Sequence, residues 1–209
     1  LARASELAAS LGTEVAGLLA STIGRLCEGQ VRELQLAYQV ERSYADYEAA
    51  IEGKTAALFA TSCRIGGIVA QAPRPEVDAL TEFGRSNGLA FQVVDDILDV
   101  VATDEQLGKP AGHDMAEGVY TLPVLHTLAQ ETPEAAELRS LLGGPLGSGE
   151  QARALALVRA GDGVGAAVTR ARSYVDEAVA VLAALPPSPA SGTLAAAAHH
   201  LLEGLDGSG

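Results

Sequence analysis

The chain has 209 residues, 48% hydrophobic and 20% charged, which is enough apolar content to bury a substantial core in one or two domains and too much for a disordered chain. Its formal net charge of −13 argues against nucleic acid and against electrostatic docking on anionic lipid, since both need clustered Lys and Arg, and suits a protein that gathers cations. Alanine and leucine dominate, aromatics make up 4% and Trp is absent, so the expected fold is all-α, a single helical domain over residues 1–209.

Residues 1–9 read as the end of a helix closed near Gly12. The chain starts without Met and already in helical pattern, which predicts a segment upstream. Thr13 then caps an amphipathic helix to residue 38, with Leu18, Leu19, Ile23, Leu26, Val31, Leu34 and Leu36 at roughly helical spacing. Ser43-Tyr44-Ala45-Asp46 resembles a capping box opening a short helix that Gly53 breaks after Ile51. Lys54-Thr55-Ala56 begins the next helix, rich in small residues, ending near Ala72. Pro73 and Pro75 mark a turn, and a long helix runs from Glu76 to Val101. Residues 103–123 lose the pattern among Gly108, Pro110, Gly112 and Gly118, a loop long enough to act as a lid. Five further helices follow, over 122–130, 134–142, 151–160, 163–185 and 193–205. No segment has the apolar length of a membrane span, and no basic start precedes an apolar run, so a soluble cytoplasmic protein is expected. Cys27 and Cys63 are too few for a disulfide framework and read as buried free thiols.

The long helix carries Phe91-Gln92-Val93-Val94-Asp95-Asp96-Ile97-Leu98-Asp99. At 100° per residue, Gln92, Asp95, Asp96 and Asp99 share one side, and Val93, Val94, Ile97, Leu98 and Val101 cover the rest. Like charges three and four residues apart repel, so the stripe costs stability unless something positive lies against it. Hard divalent cations such as Mg²⁺ take oxygen ligands and leave room for waters and phosphates. The pattern therefore predicts a site for metal and diphosphate.

With Gly108-Lys109, Asp114 and Thr121-Leu122-Pro123, this run resembles the second aspartate-rich region of the trans-isoprenyl diphosphate synthases, or polyprenyl synthetases. Gly29-Gln30 with Glu33, and Lys54-Thr55-Ala56, stand upstream in the family's order. The resemblance covers residues 1–130 and fades beyond. It implies an isoprenoid-synthase-like bundle of antiparallel helices around a deep central cavity, usually a homodimer. It also implies prenyltransferase chemistry. An allylic diphosphate ionises with Mg²⁺ drawing off pyrophosphate, isopentenyl diphosphate attacks the cation, and a proton leaves. On this resemblance Asp95 and Asp99 ligate Mg²⁺, with Asp96 beside them and Asp114 and Glu33 as further acidic contacts. Lys54 and Lys109 hold the diphosphate, Thr55 and Gln92 line the reacting carbons, and Gln30 faces inward.

Two departures stand out. The family's first aspartate-rich motif has no counterpart and belongs before Leu1, so the chain reads as the C-terminal part of a longer synthetase domain. Val119 stands where the family tends to have Lys. Two other readings remain open: a non-catalytic or regulatory subunit of a heteromeric prenyl synthase, and a class I terpene cyclase. The lack of Trp and the three Phe weigh against the aromatic-rich cavity of a cyclase. The stretch 47–67 leans toward a medium- or long-chain product. Gly84 and Gly88 either open room for a prenyl tail or mark a helix crossing. His113 could titrate near neutrality, and His199-His200 read as surface.

Overall fold

The computed structural model describes residues 1–103, 108 and 111–206. In chain order its helices are α1 (Ala2–Ser10), α2 (Thr13–Gln35), α3 (Tyr44–Ile51), α4 (Ala57–Val69), α5 (Arg74–Val101), α6 (His113–Ala116), α7 (Leu122–Leu128), α8 (Pro133–Leu141), α9 (Ser148–Ala160), α10 (Gly163–Val181) and α11 (Pro189–Asp206). A π-helical turn, Glu52–Ala56, joins α3 to α4, and a 3₁₀ turn, Leu182–Ala184, closes α10. Among the described residues there is no strand. No helix there is long and apolar enough to cross a membrane.

The 28-residue α5 is the axis. It packs against α4, its neighbour through a short turn, and against α10, while α7 and α11 touch both α5 and α10. Leu89, Val93, Ile97 and Val100 share one core with Leu122 and Leu125 of α7 and Val175 of α10. Small residues set the spacing: Ala167, Ala171 and Ala178 are the buried alanines of α10. A Cβ added at Gly84 would lie 2.6 Å from the Phe59 carbonyl oxygen, and one at Gly88 would lie 2.8 Å from the Ala56 Cα. These glycines mark the α4–α5 crossing and leave no room there for a ligand.

Several expectations are corrected. Gly53 does not break the helix. The backbone runs on through the π turn, because Gly53 is the place where α2 approaches closely: a Cβ on Gly29 would sit 2.5 Å from the Lys54 amide nitrogen. Only part of the apolar set on α2 faces the core: Leu18, Leu19, Ile23, Leu26 and Leu36 are half-buried on the same side as Val15 and Gly29. Val15, Thr22, Gly29 and Glu33 are buried, whereas Val31 is 52% and Leu34 67% exposed. Small and polar residues let α2 come close, and Thr22 and Thr61 share a 2.6 Å hydroxyl hydrogen bond across the contact. Cys27 lies on the outward face and is exposed, and Cys63 is half-buried. Thr13 begins α2 without capping it, since Gly12 at φ 107° is the N-cap. Ser43 does cap α3, accepting the Asp46 amide at 3.1 Å. The loop after α5 contains the short helix α6.

Candidate active site

Three segments meet beside the C-terminal third of α5. The α3–π–α4 run brings Tyr47 and Lys54, α2 brings Glu33, and the segment 112–121 brings Asp114, Glu117 and Val119. With Arg42, Gln92, Asp95 and Asp96 they line a cavity of about 250 Å³. Local chemistry fixes each segment. The Gly112 amide donates to the Asp99 carbonyl at 2.7 Å, and the Asp114 amide to Asp99 Oδ2 at 3.2 Å, which holds residues 112–114 against the end of α5. Gly118, at φ 80°, lies under the Tyr38 ring and accepts the Tyr38 amide at 2.9 Å; any Cβ there would strike the ring. Arg159 donates from Nε to the Val100 carbonyl at 2.6 Å, closing the C-terminus of α5.

One hydrogen-bonded relay crosses the site. Thr55 Oγ1 donates to Gln92 Oε1 at 2.6 Å, Gln92 Nε2 donates to Asp96 Oδ1 at 2.9 Å, and the Tyr47 hydroxyl donates to Asp96 Oδ2 at 2.5 Å. Asp96 is only 2% exposed. Burial pushes its pKa up to about 8 against these two donors, and the charges of Asp114 and Asp95 add to the rise. Burial and Asp96 likewise hold the Tyr47 phenol well above its ordinary value. Lys54 Nζ donates to Glu33 Oε2 at 2.6 Å, and Gln30 Nε2 reaches the same oxygen at 3.4 Å.

Of the sequence-predicted site residues, the cavity therefore gathers Glu33, Lys54, Gln92, Asp95, Asp96 and Asp114. Thr55, Gln30 and Asp99 are not among its lining residues; they hydrogen-bond Gln92, Glu33 and the Asp114 amide respectively. Lys109 lies outside the described residues. Sequence reasoning missed Tyr47 and Arg42. Their partners Asp96 and Tyr120 are 49 and 78 positions away, a separation at which no local pattern exists.

The lining holds five carboxylates against two cations, with no His or Cys, the oxygen-only donor set of a hard divalent ion. Among the described residues no three His, Cys, Asp or Glu side chains form a finished metal cage. Mg²⁺ does not require one, since it uses one or two carboxylates and completes its shell with water and phosphate. On the other side of Asp95 lies an apolar groove of about 490 Å³, formed by Phe91, Val94 and Leu98 of α5 with Leu201, His200, Glu203 and Gly204 of α11.

The helix order, the carboxylate stripe on a central helix and the adjoining groove define an all-α fold of the isoprenoid-synthase kind. The chain belongs to the polyprenyl synthetase family, whose sequence model matches residues 1–158. It is 38% identical over 194 residues to heptaprenyl diphosphate synthase component 2 of Geobacillus stearothermophilus, covering 92% of this chain and 60% of that one. It is 38% identical over 197 residues to nonaprenyl diphosphate synthase of Mycobacterium tuberculosis, covering 94% and 59%. The structure matches a polyprenyl synthase from Caulobacter crescentus, solved with calcium and isoprenyl diphosphate, at TM-score 0.90 and 33% identity, over 96% of this chain and 62% of that one. The chain thus spans about 60% of the length of these relatives.

Proposed function

We propose that this chain carries the allylic-diphosphate site of a trans-prenyl elongating enzyme, which condenses an allylic prenyl diphosphate with isopentenyl diphosphate to give a longer polyprenyl diphosphate. The observation that carries the reading is the position of Asp95, which lines both the acidic cavity and the apolar groove. A ligand with a charged head and a hydrocarbon tail fits that junction. The heptaprenyl and nonaprenyl names of the relatives support a long-chain product.

The residues divide the work. Lys54, steadied by Glu33, offers the diphosphate a compact charge with several donors. Lys109 is a second such contact. Thr55 orients Gln92, and Gln92 together with Tyr47 fixes Asp96, so the carboxylate keeps one orientation on the cavity wall. Asp99 holds the Asp114 amide and so places Asp114. Mg²⁺, held by Asp95, Asp96 and Asp114 with Asp99 and Glu33 in support, would supply charge neutralisation for the departing diphosphate. In the reaction the allylic C–O bond breaks with its electron pair leaving on diphosphate. The isopentenyl double bond attacks the carbon, and the released diphosphate takes the proton. Phe91, Val94, Leu98 and Leu201 wall the groove against water that would capture the cation. The working form is a cytoplasmic homodimer. One observation favours a heteromer as a second reading: the Geobacillus relative is named as a component 2.

Elongation is tested by incubating the protein with Mg²⁺, isopentenyl diphosphate and a set of allylic primers. Polyprenyl diphosphates of defined length are expected. Cyclised hydrocarbons as the only product, or no Mg²⁺-dependent consumption of primer, would overturn the reading.

A further inference from the structure

We infer that Arg42 is a cationic contact for the diphosphate, serving the acidic cavity as a two-pronged oxyanion donor. The inference rests on the function proposed for that cavity and deepens it. Arg42 is 7% exposed, lines the cavity, and comes from the turn between α2 and α3, one residue before the Ser43 cap and outside every motif of the sequence.

Its bonding separates it from the other partly or fully buried arginines. Arg159 spends Nε and Nη2 on the Val100 and Ala102 carbonyls, and Arg139 spends Nη2 on Leu128. Arg170 gives Nε and Nη2 to Glu48. Those guanidiniums tie elements together. Arg42 makes one long hydrogen bond, from Nη1 to the Tyr120 carbonyl at 3.3 Å, and its Nε has no partner among the described residues. It also has no ion pair among them, although it lies 5.6 Å over the Tyr47 ring and Glu33 lines the same cavity. A buried guanidinium with unused donors is costly unless an anion completes it.

The cavity's other cation, Lys54, already spends one of its donors on Glu33 at 2.6 Å, which offsets part of its charge. Val119, on the same wall and one residue before Tyr120, brings no charge. A diphosphate held among these carboxylates by a divalent ion needs positive charge on its remaining oxygens. The planar fork of an arginine meets two phosphate oxygens at once, which an ammonium does not.

The test is binding of inorganic pyrophosphate with Mg²⁺ to the whole chain, read by calorimetry and ³¹P NMR. Wild type, Arg42→Gln and Arg42→Lys are compared, with helical content and melting temperature recorded for each. The expected result is a pyrophosphate affinity lower by about tenfold or more in Arg42→Gln. Arg42→Lys, which keeps the charge and loses the fork, should show a smaller loss. Should Arg42→Gln not fold, Arg42→Lys carries the test, and affinity equal to wild type there overturns the inference. A folded Arg42→Gln that binds like wild type also overturns it, even with a lower melting temperature, and marks Arg42 as a brace while leaving the cavity's function standing. No pyrophosphate binding by the wild type overturns the function of the cavity itself, and this inference with it.

Discussion

Tyr47 donates a 2.5 Å hydrogen bond to Asp96 Oδ2, joining α3 to the carboxylate stripe of α5 between two side chains that are each 2% exposed. Both side chains are buried, so the bond forms where little solvent competes for it. Tyr47→Phe should leave an acceptor unsatisfied and destabilise the fold by about 1–3 kcal/mol in denaturant titration. It should also weaken Mg²⁺-dependent ligand binding, because Asp96 then has only Gln92 to orient it. A variant as stable as wild type would show that the bond is dispensable.

Asp96 makes stability depend on pH with an unusual sign. Its pKa rises from an ordinary 3.8 to about 8 because burial disfavours the charge, so the folded state holds the proton more tightly than the unfolded state. The stabilisation from this group is complete below the ordinary value and is lost as pH rises toward the folded value. In thermal melts with chelator present, Asp96→Asn should gain on wild type as pH is raised from about 4 to about 8. Parallel pH profiles for the two proteins would contradict the assignment.

Glu48 behaves in the opposite way. Burial alone would raise its pKa, but hydrogen bonds from Tyr174 at 2.8 Å and Arg170 at 2.7 Å outweigh that and hold it below its ordinary value. Its contribution is present above the ordinary carboxylate range and disappears as pH falls through the folded value. Because the Glu48 and Arg170 side chains are 41% and 39% exposed, solvent screens the pair, and Glu48→Gln should cost below about 1 kcal/mol at neutral pH. The difference from wild type should vanish in acid. A cost that persists there would place the effect in packing.

The approach of α2 to the π turn sets the position of Lys54. Gly29→Ala would put a Cβ 2.5 Å from the Lys54 amide nitrogen, and backbone must move to admit it. A loss of about 1–3 kcal/mol is expected, with weaker diphosphate binding, since Lys54 moves with its backbone. Gly66→Ala is the control. It lies in α4 with open space around it and should stabilise by about 0.5–1 kcal/mol. Equal effects of the two substitutions would rule out a steric cause.

The main elements were legible because their signals are local. The carboxylate stripe follows from the spacing of Asp95, Asp96 and Asp99, and the cap on α3 from Ser43 and Asp46. What stayed hidden depends on distant partners. Gly53 reads as a breaker in isolation and becomes a contact surface only once Gly29 lies against it. Val31 and Leu34 continue the apolar pattern of α2 yet lie exposed, because the contact there is made by Gly29 and Glu33, and Cys27 lies outside as well. Arg42 belongs to no motif, and only the fold brings it to a cavity with Asp95 and Val119.

The central claim is that Asp95 and its neighbours bind an allylic diphosphate through a divalent ion, with the hydrocarbon in the groove beside them. The most direct measurement is calorimetric binding of an allylic thiodiphosphate, whose carbon–sulfur bond resists ionisation, with Mg²⁺ and with chelator, to wild type and to Asp95→Ala/Asp99→Ala. Binding that requires Mg²⁺ and drops by about a hundredfold or more in the double variant, with helical content intact, is the predicted result. Binding that is indifferent to Mg²⁺, or unchanged in the double variant, would contradict it.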